Sequence, residues 1–218
     1  RVNYRSNPSY KWVALAIVIA GLIALAMFDP SAPPWLVSAR DRMTLSHALV
    51  NLAGWVGLSM AGTLVTLGPT MLHTQIDPEA LMRAVRALPG ACVALALAAA
   101  GTISGIGLLH GGGLTVYAAI LLWGIGVPLL RSAVHRLPRA YATWTLTAGT
   151  AWSATGVLAV SWLAITSAPT DLRNSVLKWL TILGAGGLAQ IFVAALTYLM
   201  PVAVGGGPAA MRAGMKML

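Results

Sequence analysis

The sequence predicts an all-α, polytopic integral membrane protein, a six-transmembrane-helix bundle. Three observations carry that expectation. Of 218 residues, 58% are hydrophobic and 9% charged, against about 45–50% and about 25% in soluble domains. The mean hydropathy is +0.79. Six apolar stretches also come near or exceed the roughly 20 residues a helix needs to cross a bilayer. This composition excludes a soluble globular enzyme, a disordered tail and a nucleic-acid-binding domain, even though Lys and Arg outnumber Asp and Glu by 14 to 5.

The spans are expected at about 12–28, 45–71, 88–109, 113–130, 141–166 and 176–203. Lys11 and Asp29-Pro30 bound the first. The second is long enough to tilt or to extend past the bilayer. His110-Gly111-Gly112-Gly113 is expected as a tight turn between the third and fourth, because glycine reaches turn conformations at little steric cost. Residues 205–218 read as a Gly-rich hinge and a basic amphipathic tail. The chain opens on Arg1 and stops on that tail, so a segment of a longer protein is expected. No signal peptide is expected, since no small-residue cleavage site precedes Asp29-Pro30.

The basic residues sit between apolar blocks and read as topology determinants and lipid-headgroup contacts. With the N-terminus in the cytoplasm, 10 of the 14 Lys and Arg fall on the inner side. The positive-inside rule then puts both termini of a multi-pass protein in the cytoplasm, across the inner (cytoplasmic) membrane. All five acids lie in loops or at span ends. Ion-coupled transporters usually carry ionisable groups within their spans, which weighs against that class. A lone cysteine, Cys92, excludes an intrachain disulfide and a Cys-based metal cage.

Four histidines pair by side. His47 opens the second span and His110 closes the third, both on the outer side. His73 and His135 lie on the inner side, in polar loops less suited to ligation. Two histidines at one depth on neighbouring helices suit a bis-imidazole haem or a copper site. The plainer alternative is interfacial histidines satisfied by water or headgroups. On the second span, His47, Asn51, Trp55, Ser59, Thr63, Thr66, Thr70 and His73 recur every three or four residues, which puts them on one helix face. Gly54, Gly57 and Gly62 flank this stripe. Either it is a helix–helix contact, or it faces a flat cofactor for which the glycines make room. Gly101 and Gly105 read as a packing face on the third span. Gln190 is the amide deep in the sixth, where it needs a polar partner.

The stretch Ser46-His47-Ala48-Leu49-Val50-Asn51-Leu52-Ala53-Gly54-Trp55-Val56-Gly57, followed by Gly62-Thr63 and Pro69-Thr70, resembles a known pattern. It is similar to the His-x-x-x-Asn-x-x-Gly-Trp-x-Gly motif of membrane proteins related to haem–copper oxidase subunit I and to the NnrS family. It looks especially like actinobacterial membrane segments fused to, or beside, multicopper-oxidase domains. The Ala- and Arg-rich, Lys-poor composition suits such a source. The resemblance covers about thirty residues of one span. It implies a haem- or copper-associated subunit with His47 as ligand. Those oxidases carry about twelve spans and several intramembrane histidines, so it does not imply an oxygen-reducing binuclear centre here.

The functional expectation is a redox-associated membrane subunit, part of an oxidoreductase system. It would bind haem b or copper near the outer face through His47 and His110, beside Asn51 and Trp55. Its partners would be the lipid bilayer and a cupredoxin, a multicopper-oxidase domain or another redox subunit, with a homo-oligomer also compatible. Two other classes stand beside it. One is a cofactor-free scaffold or anchoring subunit. The other is a small-solute or metal-ion transporter domain lined by the threonine stripe and Gln190.

Overall fold

A computed structural model describes residues 9–74, 78–135, 140–167 and 171–203. Every regular element among them is a helix. Six helical runs are long and apolar enough to cross a membrane: Lys11–Phe28, Arg40–Met71, Pro78–Ser104, Gly107–Val134, Tyr141–Thr166 and Asn174–Met200. They are numbered first to sixth below. A short helix, Pro34–Ser38, links the first two. The expected tail, 205–218, lies outside the described residues.

The third span is the centre of the bundle. Half of its most apolar window is buried, against 11% for the first and 18% for the sixth. Its inward face is mostly alanine: Ala84, Ala87, Ala91, Ala94 and Ala98 are all buried. Small side chains let neighbouring backbones approach, which is how helices pack where lipid is as apolar as the contact itself. The first span lays Ala16, Ala20 and Ile23 against Met43, Val50 and Ala99. At one end, Met71, Leu129, Leu146 and Ala194 join the second, fourth, fifth and sixth spans. The fifth and sixth approach through glycines. A Cβ on Gly149 would meet Ile191 and Gln190, one on Gly156 would meet Leu183, and one on Gly187 would meet Ser153.

The third and fourth spans depart from the sequence expectation. The third starts at Pro78 rather than 88. Proline suits a first helical turn, Glu79 follows it there, and Ala, Leu, Met and Arg favour helix thereafter. Pro89 is accommodated inside this helix. The turn falls at Gly105, not at the glycine triplet. Gly105 has φ +77°. Its N–H donates to Thr102 O (3.3 Å), and Ile106 N–H donates to Gly101 O (2.9 Å). That is a left-handed C-terminal cap, a conformation glycine adopts without a Cβ penalty. The fourth helix therefore begins at Gly107, and His110 lies inside it rather than at the end of the third.

The second, fourth and sixth spans each contain a widened, π-type stretch: Val50–Gly57, Leu122–Gly126 and Ile182–Ala189. Each holds at least two glycines. Glycine holds helical geometry weakly, so these are the positions where the ladder can widen. At the end of the first stretch Leu58 N–H reaches back to Ala53 O.

Candidate functional site

His110 sits in the first turns of the fourth span, 5% exposed. The early turn at Gly105 brings its ring against the end of the third. His110 Nδ1 lies 2.6 Å from Thr102 Oγ1 and 3.3 Å from Ala98 O. The Thr102 hydroxyl donates to Ala98 O at 2.8 Å. With that proton committed, the hydroxyl oxygen accepts from the ring, so Nδ1 carries the imidazole proton. The opposite tautomer would bury an unpaired N–H, and orphaned donors are rarer than under-used acceptors. Nε2 therefore presents a lone pair. It is buried, and it is the one buried side-chain N or O among the described residues without a hydrogen-bond partner.

His47 is differently placed. Its Nδ1–H donates to Ala20 O of the first span at 3.0 Å. Its Nε2 accepts from Asn51 Nδ2 at 3.1 Å, and the same amide donates to His47 O at 2.9 Å. Both ring nitrogens and both amide protons are thus engaged, and the group clasps the first span to the second. Leu45 and Leu49 instead pack around Ala98, Leu114 and Ala164. Two residues along an α-helix is about 200° of rotation, so His47 faces away from that cluster. The His47 and His110 imidazoles sit in separate hydrogen-bond networks.

The rest of the expected stripe faces outward or bonds to its own helix. Trp55 is 49% exposed. Thr63 Oγ1 donates to Met60 O, Thr66 to Thr63 O and Thr70 to Thr66 O. These hydroxyls tie back to their own turns rather than across an interface. Gly54 and Gly57, beside the stripe, leave no room for a macrocycle. A Cβ on Gly54 would meet Ala16 and Leu95, and one on Gly57 would meet the Tyr117 hydroxyl. That hydroxyl donates to Ala53 O at 2.7 Å, joining the fourth span to the widened part of the second.

Of the pair expected on the inner side, His73 is exposed just past the second span, at φ +54°. The His135 side chain lies outside the described residues. Among the described residues no group of three or more His, Cys, Asp or Glu side chains could hold a metal ion. Gln190 is half-buried, its Cβ against Gly149. Cys92 is half-buried beside the Leu95–Tyr117 cluster, as a packing residue would be.

The donor chemistry at His110 fits one imidazole ligand. A ring fixed by Nδ1–H to a protein oxygen, with Nε2 facing inward, is the usual supported state of a metal-bound histidine. His47 has the same tautomer, with Asn51 on Nε2. Sequence reasoning missed Thr102, which sits within the Gly101–Gly105 packing face. Its spacing from His110 across Gly105 was the available signal. No family model, no curated protein and no solved structure matches this chain.

Proposed function

We propose that this chain is a redox-associated subunit of the cytoplasmic membrane, in which His110 Nε2 is a ligand atom for b-type haem or copper. The observation that carries the reading is the buried, unpartnered lone pair on a ring whose other nitrogen is held. Bound haem or copper would supply one-electron transfer. The chain's own contribution is to fix the imidazole, through Thr102 and Ala98, and to keep it in a dry, low-dielectric setting that tunes a potential. The excess of basic residues at the His73 end supports that end as the cytoplasmic one, with both termini there. A cupredoxin or multicopper-oxidase domain on the opposite face would be the electron partner.

A second reading, a cofactor-free scaffold, has its own support. A Cβ on Gly54, Gly101 or Gly113 would run into a neighbouring helix, so these glycines serve close packing. One preparation separates the two. Detergent-purified protein is examined by visible absorption, oxidised and reduced, with metal analysis. A Soret band or stoichiometric copper that His110→Ala removes supports the redox subunit. Colourless, metal-free protein from cells supplied with both overturns it and leaves the scaffold.

A further inference from the structure

At the opposite end from His110, the second, third and fourth spans line a partly open cavity of about 370 Å³. Its wall includes Pro69, Thr74, Arg83, Pro128, Arg131 and Ser132. Two prolines face it from different spans. Each lacks an N–H, so the carbonyl four residues earlier loses its α-helical donor. Those earlier residues are Val65 and Gly124, and both also line the cavity. Both helices run on through their prolines, and the two carbonyls that lack an α-helical donor border the same hollow. Gly124 keeps the third span close, where a Cβ would touch Ala87.

Among the described residues, the wall of this hollow carries two arginines and no acid. Arg83 is half-buried, and its Nε lies 3.4 Å from Glu79 O, laying the side chain back along its own helix. Arg131 is exposed on the facing fourth span. The acid described at this end is Glu79, one turn before Arg83. The rest of the wall is mainly apolar, with Leu64, Ile125 and Leu129. The volume lies within the range of small-molecule pockets, about 300–1,000 Å³.

We infer that this cavity binds one anionic glycerophospholipid, its phosphate between Arg83 and Arg131 and its chains along the apolar wall. Guanidinium groups match phosphate oxygens with paired donors. The position suits the occupant, because Arg83 follows the start of its helix by five residues and Arg131 precedes the end of its own by four, and the ends of spanning helices meet the headgroups. Basic pockets between spans are established headgroup sites. A free phosphate offers the same anion without the chains, so the apolar wall distinguishes the two. The inference rests on the membrane-spanning reading of the six helices and is independent of any redox cofactor.

The test uses the full chain in neutral detergent, titrated with phosphatidylglycerol, phosphatidylcholine or inorganic phosphate, and read by native mass spectrometry and thermal unfolding. One retained phosphatidylglycerol and a raised Tm are expected, with neither effect from the other two. The double variant Arg83→Gln/Arg131→Gln should weaken that binding on the order of 30-fold, the effect of removing two basic contacts from an anionic headgroup. Arg86→Gln, exposed and off the cavity wall, should bind as the parent does. Should the double variant not fold, the lipid comparison on the parent chain still decides. Equal retention of phosphatidylcholine, equal response to inorganic phosphate, or unchanged binding in a folded double variant would each overturn the inference.

Discussion

Thr102 Oγ1 stands 2.6 Å from His110 Nδ1 across the turn that joins the third and fourth spans. The hydroxyl and the Ala98 carbonyl together fix which ring nitrogen carries the proton. In 15N-labelled protein, His110 should therefore show the Nδ1–H tautomer, with Nε2 resonating as an unprotonated nitrogen. Thr102→Val keeps the shape and removes the hydroxyl. It should cost about 1 kcal/mol, the net worth of a typical hydrogen bond, and allow the tautomers to mix. A ring protonated at Nε2 in the parent chain would remove the ligand argument for His110.

The His47–Asn51 clasp predicts a different pattern. His47→Ala deletes the contact to Ala20 O and leaves that carbonyl partly buried without its side-chain donor. Loss of about 1–3 kcal/mol is expected, seen as a lower Tm and readier proteolysis at the first span. Asn51→Leu should leave the His47–Ala20 bond in place while freeing Nε2. Under the redox proposal, Asn51→Leu should retain cofactor and His110→Ala should lose it. Full cofactor retention in His110→Ala with loss only in His47→Ala would move the ligand to the second span.

Glycines around His110 give opposite outcomes for one substitution. A Cβ at Gly101 would run into the backbone of Leu109 and His110, and one at Gly113 would come 2.6 Å from Ala98 N. Gly101→Ala and Gly113→Ala should each cost about 1–3 kcal/mol, as over-packing does. Gly112 lies inside a helix, and a Cβ there would have no neighbour within 4 Å. Gly112→Ala should therefore stabilise by about 0.5–1 kcal/mol. Thermal unfolding of the three variants checks this. Were 110–113 the turn that the glycine triplet suggests, Gly112→Ala would destabilise instead.

The bundle was legible because hydropathy sets six apolar runs apart, and every run became a helix. The turn at Gly105 was not, since a glycine four residues after another also fits a packing face. Only tertiary packing chose the left-handed cap there. That choice moved His110 from the end of one helix into the interior of the next. The histidine stripe was legible as a periodicity, but periodicity carries no information about which neighbour a face meets. His47 met the first span, whereas Thr63 and Thr70 turned outward. The cavity at Arg83 and Arg131 needs residues from three spans, and no local pattern announces it.

His73 supplies the last prediction. The second span closes with Thr74 N–H on Pro69 O at 2.8 Å and His73 N–H on Thr70 O at 3.1 Å. This is the paired closure that places its penultimate residue in the left-handed region, usually as glycine. Here His73 occupies it at φ +54°. A non-glycine residue in that conformation costs about 1–2 kcal/mol. Comparing His73→Gly with His73→Ala cancels the loss of the imidazole and all its contacts, since both variants lack it. The glycine variant should unfold at the higher temperature, by about 1 kcal/mol of stability. Equal stabilities would mean that the chain end relaxes out of the left-handed region once the side chain is removed.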